Sequence, residues 1–305
     1  MTKKKLLIVG GTGFLGTNFI KKILKLNYKI TSISRKIPKP KDKIGGVKYF
    51  LGDISKNIRL KGNFDYVINF GGNIDHSNHK KNHKAHYIGV KNLINFLKKK
   101  NIKRFIQIGS SSEYGKAHSP HDEKMKCKAL LSYGISKLKA TNYLLNLYKK
   151  NKFPVVILRL YQVYGPGQKT NRLIPFVIKN CIQNNAFDCS SGLQSRDFIY
   201  IDDLTNAIKI ILNTNKDVHG KIINVGYGRS KKIRDVIIFL NKTLEGGVPL
   251  FGKFKMRKDE TLNSFPKINL IRSFGWSPKT DLKEGLKKTI YYYKKKFKNF
   301  NLSTQ

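Results

Sequence analysis

The chain has 305 residues, of which 40% are hydrophobic, and 61 Lys and Arg against 18 Asp and Glu give a formal net charge of +43. A chain of this length buries roughly three quarters of its unfolded surface, so it has enough core for one large domain or two. No stretch approaches the ~20 apolar residues of a membrane-spanning helix. Its cysteines, Cys127, Cys181 and Cys189, lack Cys-x-x-Cys spacing, which indicates reduced, unligated thiols and a cytoplasmic protein.

The positive charge is spread along the whole chain with abundant Asn and Ile, which indicates compositional bias more than a nucleic-acid site, although it could also steer a polyanionic substrate. Residues 282–300 are the best candidate for a true interaction surface, because Leu282, Leu286, Ile290 and Phe297 recur at near-helical spacing beside many lysines. Such a stripe either makes a weak peripheral membrane contact or packs on its own domain with a solvated basic face.

The chain begins with an apolar run, residues 6–9, followed by Gly10-Gly11-Thr12-Gly13-Phe14-Leu15-Gly16 and then by apolar residues at helical spacing. This pattern predicts a buried strand, a tight glycine turn and a helix N-terminus, which together bind the pyrophosphate of a dinucleotide. Gly10 would allow the turn, Gly13 the approach of the phosphates, and Gly16 close packing of the helix. The spacing differs from Gly-x-Gly-x-x-Gly, and the alternative is a turn without a ligand.

A second strand is predicted at 29–34, and at its end an acidic residue would hold the ribose 2′-hydroxyl of NAD. The chain has Ser34-Arg35-Lys36 there. The guanidinium of arginine binds phosphate oxygens in a bidentate manner, and NADP carries a phosphate on that 2′-oxygen. The end of this strand therefore favours NADP. NAD is the alternative, in which Arg35 and Lys36 are two more basic residues of a basic chain.

Apolar runs alternate with amphipathic segments through the first half of the chain, which predicts an α/β fold with a doubly wound parallel sheet. From about residue 160 the pattern loosens and prolines become frequent. We therefore expect a dinucleotide-binding Rossmann domain in 1–165 and mainly a smaller substrate-binding lobe in 166–305, with some segments returning to the Rossmann core. The predicted strands are 5–9, 29–34, 47–50, 65–70, 104–109 and 154–159, and the predicted helices are 14–26, 80–100 and 132–150.

Tyr133 and Lys137 stand four residues apart, with Ser110-Ser111-Ser112 upstream. On a helix the pair shares one face, and a cation beside a phenol favours the phenolate, so the two could exchange protons near neutral pH. Tyr-x-x-x-Lys alone is common. Together with the glycine turn it indicates oxidoreductase chemistry on a dinucleotide.

These residues resemble the extended short-chain dehydrogenase/reductase family, in its nucleotide-sugar epimerase, dehydratase and ketoreductase branch, over nearly the whole chain. The resemblance implies that Ser110, Tyr133 and Lys137 are catalytic and that Gly52-Asp53-Ile54 meets the adenine. With the strand-end argument, the predicted cofactor contacts are Gly10, Thr12, Gly13, Phe14, Leu15, Gly16, Ser34, Arg35, Asp53, Ile54, Phe70, Gly71, Tyr133 and Lys137.

Two later segments resemble the substrate-binding motifs of that family. Residues 159–167 resemble the Arg-x-x-Asn-Val-Tyr-Gly-Pro-Gly stretch, with Gln162 in place of Asn, and residues 195–203 contain Arg196, whose counterpart binds the substrate pyrophosphate. Residues 274–286 resemble the C-terminal signature of the family. The predicted substrate contacts are His76, Ser111, Ser112, Gln162, Arg196 and Arg257.

Departures from the family pattern narrow the expected reaction. The 4,6-dehydratase branch has Asp and Glu after its catalytic Thr, where this chain has Ser111 and Ser112, so dehydration is disfavoured. What remains is 4-ketoreduction, which consumes NADPH, or 4-epimerisation, which recycles a tightly held NAD. Because of Arg35 we expect NADP-dependent reduction of the C4 ketone of a nucleotide-linked 4-keto-6-deoxy sugar in surface-polysaccharide sugar biosynthesis. The alternatives are an NAD-dependent nucleotide-sugar 4-epimerase and a noncatalytic RNA- or complex-binding relative.

Four histidines, His76, His79, His83 and His86, recur at spacings that would place them on one helix face. Such a face could bind a transition metal, but no Cys or Glu accompanies them and the expected chemistry needs no metal, so none is predicted. Substrate contact by His76 is the favoured role. His86 stands where many members of the family have Asn.

A homodimer is expected through the helices at 80–100 and 132–150, which would form a four-helix bundle, as the resemblance also implies. Both segments carry apolar residues beyond the single stripe that a sheet-bound helix needs, and a two-fold partner would cover the second stripe. The alternative is that the C-terminal lobe of the same chain covers the second stripe. The residues are Tyr87, Val90, Leu93, Ile94 and Leu97 on the first helix and Leu138, Tyr143, Leu144, Leu147 and Tyr148 on the second.

Overall fold

The computed structural model describes residues 3–73, 78–255 and 260–301. In its first half, each of the six predicted strands is present within one residue at either end. The strands are β1 Lys4–Val9, β2 Tyr28–Ser34, β3 Val47–Leu51, β4 Tyr66–Asn69, β5 Arg104–Ser110 and β6 Val155–Leu160. The helices are α1 Phe14–Ile23, α2 His79–His83, a π-helical turn Lys84–Ile88, α3 Gly89–Leu97 and α4 Ser132–Asn151.

The strands of the second half are mostly shorter than those of the first, whereas its helices are not, since Leu282–Asn301 has 20 residues like Ser132–Asn151. Its strands are β7 Gln162–Tyr164, β8 Ala186–Ser190, β9 Ser195–Tyr200, β10 Ile222–Val225, β11 Ser230–Lys232, β12 Val248–Phe254 and β13 Asn263–Ser264. Its helices are α5 Leu173–Ile182, α6 Ile201–Asn213, α7 Ile233–Leu244, α8 Asn269–Ser273 and α9 Leu282–Asn301.

Within the described residues, the central sheet has seven parallel strands in the order β10-β6-β5-β4-β1-β2-β3. Its middle strands are apolar on both faces, because helices cover both sides. Leu6 and Ile8 of β1 belong to the core that includes α1 and α6, whereas Leu7 and Val9 belong to the core that includes α3 and α4. The predicted doubly wound α/β class is therefore confirmed.

One segment from the second half completes this sheet, since β10 pairs with β6 at the edge. The guanidinium of Arg104, at the start of β5, ties the end of α6 to the sheet by donating to the carbonyls of Ile211 at 2.6 Å, Leu212 at 3.0 Å and Thr214 at 3.1 Å. The other late strands form smaller sheets in which β9 pairs with β7, β11 and β13, and β8 pairs with β12.

The apolar stripe of α9 is covered by the chain's own core. Leu286, Ile290 and Tyr293 are buried there, while Leu282 and Phe297 pack against it. This is the packing alternative of the two that the sequence left open. In the part of the chain that the structure describes, no helix combines the length and the apolar character that crossing a bilayer requires.

The expected second apolar stripe of α3 is wrong. Val90, Leu93, Ile94 and Leu97 all lie in the chain's own core, and on α4 Leu144 does too. The four residues recur at i, i+3, i+4 and i+7, so they form one face of the helix, the single stripe by which α3 packs on the core. The half-buried residues that remain of the expected stripes are Tyr87, Leu138, Tyr143, Leu147 and Tyr148.

Candidate active site

The glycine turn joins β1 to α1 with a shape that only glycines permit. Gly10 has a φ of +77°, in the left-handed region. A Cβ on Gly16 would strike the carbonyl of Gly10 and lie 2.6 Å from the Cα of Gly11. No side chain of the described residues caps α1 at Gly13, so the first N–H groups of the helix are free to bind an anion. This cradle fits the pyrophosphate of a dinucleotide.

The other predicted cofactor residues follow the carboxyl ends of neighbouring strands, which meet at one edge of the sheet. The Thr12 N–H points to Ser34 Oγ at 3.4 Å, so the turn is joined to the end of β2. Arg35, the next residue, is exposed, and Asp53 accepts a hydrogen bond from the Ser55 N–H at 2.8 Å. Phe14, Leu15, buried Ile54, Phe70 and Gly71 lie around the same edge, where Phe70 and Gly71 contact Gly10.

The three predicted catalytic residues come together at the end of β5. The Tyr133 and Ser110 hydroxyls form a hydrogen bond. Lys137, one turn later on α4, places Nζ 5.9 Å from the centre of the Tyr133 ring and donates to the Ile108 carbonyl at 2.7 Å. Ser111 and Ser112 form a 3₁₀ turn directly after Ser110.

Burial dominates the protonation of this group. Burial raises the pKa of Tyr133, despite the opposing effects of the Ser110 hydrogen bond and the charge of Arg172. Burial also lowers the pKa of Lys137 to about 8. The expected lowering of the Tyr133 pKa by the charge of Lys137 stays a prediction, and the ordinary pKa of a phenol already lies well above neutral pH. Tyr133 is therefore protonated at neutral pH and is ready to donate a proton.

A buried ion pair behind Ser110 was missed by the sequence argument. Glu113 and Arg159 have side chains that are 0% and 2% exposed, and Arg159 Nε lies 3.0 Å from Glu113 Oε2. Glu113 also accepts from the Ser110 N–H at 2.9 Å and the Thr141 hydroxyl at 2.8 Å. Ser110 and Glu113 form a capping box. The spacing Ser-x-x-Glu is the sequence signal that could have revealed it.

A cavity of about 410 Å³ opens among the later segments. Gln162 and Arg196, two of the predicted substrate contacts, line it, but Tyr133 is not among the described residues that do. Arg196 is held by Glu260 at 2.7 Å and by the Thr261 carbonyl at 2.8 Å. The lining also includes Asn171, Arg172, Phe176, Asp188, Gln194, Phe254 and Lys255.

Arg172 links this cavity electrostatically to the catalytic group and was also missed. It lines the cavity, and its charge opposes the rise in the pKa of Tyr133. No motif marks it in the sequence. The predicted contacts His76 and Arg257 lie outside the described residues.

The other three histidines of the predicted cluster do not share one environment. His83 packs on Tyr87, with ring centres 5.3 Å apart, whereas His86 is buried and faces Tyr133. Within residues 3–73, 78–255 and 260–301, no group of three or more His, Cys, Asp or Glu side chains is placed to hold a metal ion.

Residues 6–226 match the profile of the NAD dependent epimerase/dehydratase family. The chain belongs to that family. CDP-abequose synthase of Salmonella muenchen is 28% identical over 94% of this chain and 97% of its own length. The dTDP-D-glucose 4,6-dehydratase of Mus musculus is 27% identical over 97% of this chain and 90% of its own length.

A solved structure shows the same architecture over nearly the whole chain. The UDP-glucuronic acid 4-epimerase from Bacillus cereus, in complex with UDP-glucuronic acid and NAD, superposes with a TM-score of 0.88 at 25% identity, over 95% of this chain and 99% of that one. These findings confirm the predicted family and fold class. The protein is an enzyme of the NAD dependent epimerase/dehydratase type.

Proposed function

We propose that this enzyme uses NADPH to reduce the C4 ketone of a nucleotide-linked 4-keto-6-deoxy sugar. The observation that carries the proposal is that none of the described residues directly after Ser110 offers a carboxylate able to reach a substrate. Ser111 and Ser112 follow it, and the next residue, Glu113, is fully buried and bonded to Arg159, Thr141 and the Ser110 N–H. Removing water from a sugar needs an acid and a base that reach the substrate, so dehydration is disfavoured.

The end of β2 supports NADP as the cofactor. Exposed Arg35 follows Ser34, where a carboxylate would hold the ribose 2′-hydroxyl of NAD. A guanidinium binds phosphate oxygens in a bidentate manner, so Arg35 would bind the 2′-phosphate. The glycine turn would hold the pyrophosphate, Asp53 and Ile54 the adenine, and Tyr133 and Lys137 the nicotinamide ribose.

The catalytic residues have distinct roles in ketone reduction. The nicotinamide supplies the hydride when it is bound. Tyr133, protonated in the resting protein, donates its proton to the oxygen that forms at C4. Ser110 stabilises that oxygen by a hydrogen bond. Lys137, whose pKa is about 8, is mainly cationic at neutral pH and stabilises the phenolate that proton transfer leaves on Tyr133.

The cavity supports a substrate with a diphosphate. Arg196 and Arg172 line it, and a diphosphate would receive charge-assisted hydrogen bonds from both. CDP-abequose synthase and dTDP-D-glucose 4,6-dehydratase are similar over nearly the full chain, and both names indicate nucleotide-linked sugars. We further propose that the reaction serves the synthesis of surface-polysaccharide sugars in the cytoplasm. His76 and Arg257 are proposed as additional substrate contacts. The chain is proposed to divide into a cofactor domain, 1–165, and a mainly substrate-binding part, 166–305.

A panel of nucleotide-linked 4-keto-6-deoxy sugars, differing in base, tests the function. Each sugar is incubated with the enzyme and NADPH, the absorbance at 340 nm is followed, and the product is examined by NMR. We expect consumption of NADPH with one sugar of the panel and a hydroxyl at C4. If none is reduced while a nucleotide hexose is interconverted without net cofactor use, the enzyme is the alternative, an NAD-dependent 4-epimerase.

Cofactor retained through purification distinguishes these two reactions. An epimerase recycles its cofactor, so NAD should remain bound after gel filtration, whereas a reductase releases NADP in every turnover. The third possibility, a noncatalytic RNA- or complex-binding relative, is disfavoured because Ser110, Tyr133 and Lys137 are all present and assembled.

Replacing Arg35 by Asp should weaken binding of NADPH and improve that of NADH, because the 2′-phosphate would lose a cationic partner and meet an anion. Steady-state kinetics with both cofactors measure the change. Lys29→Asp, the same charge change at the exposed start of β2, is the matched control and should leave the NADPH to NADH preference unaltered. A wild-type enzyme that already prefers NADH would contradict the NADP assignment.

A homodimer through α3 and α4 remains a prediction. Among the apolar residues of the two helices, Tyr87, Tyr143 and Leu147 are only half-buried, so a partner could cover them. Sedimentation equilibrium in high salt, which screens the large positive charge, should give the mass of a dimer. Leu147→Glu should then give a monomer, because it places a charge in the contact. A wild-type monomer at micromolar concentration would contradict the prediction.

A further inference from the structure

The helix that precedes β5 contains a π-helical turn, Lys84–Ile88, between α2 and α3. Such turns are rare, and they are frequent at functional sites. Here the turn contains His86, which is 3% exposed and directed into the protein towards the catalytic group.

His86 holds the loop that follows β4. Its Nε2 lies 2.8 Å from the Asn73 carbonyl and 3.2 Å from the Asn73 N–H. Gly72 makes room for the ring, because a Cβ on Gly72 would strike it and lie 2.9 Å from Nδ1. The same loop contacts the dinucleotide-binding turn, since Gly71 N would be 3.1 Å from a Cβ on Gly10.

The other side of His86 packs against the catalytic tyrosine. The rings of His86 and Tyr133 meet edge to face, with centres 5.0 Å apart and planes at 87°. A second connection runs in parallel. Asn73 donates to Asn82 of α2 at 3.1 Å, and Asn82, fully buried, donates to Ser132 Oγ at 3.0 Å. Ser132 immediately precedes Tyr133, so both routes join the loop to the first turn of α4.

We propose that His86 is a positioning residue that fixes the Tyr133 ring and the 71–73 loop in one geometry. Its ring determines the position of Tyr133, and its Nε2 determines the position of the loop beside the cofactor turn. The expected effect on kcat rests on the proposed reductase function, whereas the expected effect on the cofactor Kd does not. An error of about 1 Å in a catalytic group can cost a hundredfold in rate, which is why a residue outside the reaction matters.

Three variants separate the two contacts. His86→Phe keeps a ring against Tyr133 but loses the bond to Asn73, whereas His86→Gln keeps a polar atom near the position of Nε2 but loses the ring. His86→Ala loses both. His83→Ala is the matched control, because it removes a histidine from the adjoining α2 that packs on Tyr87 instead. Thermal unfolding of each variant shows whether it is folded.

Two measurements are made on each protein. Nicotinamide fluorescence gives the cofactor Kd without any sugar, and steady-state kinetics give kcat and KM for the best sugar of the panel. We expect His86→Ala to lower kcat about tenfold or more with KM for the sugar nearly unchanged, and to raise the cofactor Kd about threefold to tenfold, the cost of one hydrogen bond. His86→Phe should raise mainly the Kd, and His86→Gln should lower mainly kcat.

A folded His86→Ala whose kcat and cofactor Kd both stay within a factor of two of wild type overturns the proposal. So do Phe and Gln variants with identical defects, because the two contacts would then not act separately. If His86→Ala does not fold, the kcat and Kd values of His86→Phe and His86→Gln decide whether the proposal holds. If the wild-type enzyme reduces no sugar, the proposed function fails, and the cofactor Kd alone decides whether His86 positions the loop.

Discussion

Replacing Tyr133 by Phe should abolish turnover and leave cofactor binding nearly intact. In the proposed mechanism the phenol, which contacts Ser110, is the proton donor, and its raised pKa keeps the proton available at neutral pH. General acid catalysis typically contributes ~10²–10⁴-fold, and kcat should fall by about that factor. Steady-state kinetics measure the loss, and nicotinamide fluorescence measures cofactor binding.

Tyr143→Phe is the matched control for this change. Tyr143 lies on the same helix, is half-buried and packs its ring against Tyr87, so loss of its hydroxyl should leave kcat within a factor of two. A Tyr133→Phe enzyme with more than half of the wild-type activity would remove Tyr133 from the mechanism.

Replacing Glu113 by Gln should destabilise the fold by about 3–5 kcal/mol, the usual effect of leaving a buried charge without its partner. The guanidinium of Arg159 would stay buried beside a neutral amide. The amide would also disturb the bonds to the Ser110 N–H and the Thr141 hydroxyl. Urea unfolding measures the change in the free energy of unfolding, and kcat of the fraction that stays folded should fall as well because Ser110 is displaced.

Glu284→Gln gives the comparison for a solvent-exposed pair. Glu284 and Lys288 lie 2.6 Å apart on α9, each side chain being 48% exposed, and such pairs contribute roughly 0.3–0.5 kcal/mol. Equal losses for the two variants would contradict the assignment of Glu113 as the buried anchor of the Ser110 turn.

The strands and the glycine turn of the first half were predictable from the sequence because their determinants are local. A short apolar run bounded by glycine has few alternatives to a buried strand, and a glycine at φ +77° is required wherever the chain turns as it does at Gly10. The return of β10 to the edge of the sheet was not predictable in register, because a four-residue strand carries little pattern of its own.

Features that depend on burial from several directions could not be read from spacing. The i, i+4 relation of Tyr133 and Lys137 was correct, but the pKa of the phenol is governed by desolvation, which sequence does not show. The second stripe expected on α3 was, by contrast, a misreading of the spacing, since Val90 and Leu93 lie with Ile94 and Leu97 on one helix face, which is buried. His86 was noted as a departure from Asn, but its contact with Tyr133 depends on a π-helical turn that helical periodicity cannot reveal.

The place of β10 beside β6 has a consequence for synthesis of the chain on the ribosome. About sixty residues separate the end of β6 from the start of β10, which at ~5–20 residues per second is roughly 3–12 s of elongation. During that time β6 is an open edge to which a strand of another nascent chain can pair. The acceptors of Arg104, carbonyls of residues 211–214, also emerge late. We therefore expect misassembly through this edge on a crowded polysome, and a chaperone that binds the first six strands would protect the chain.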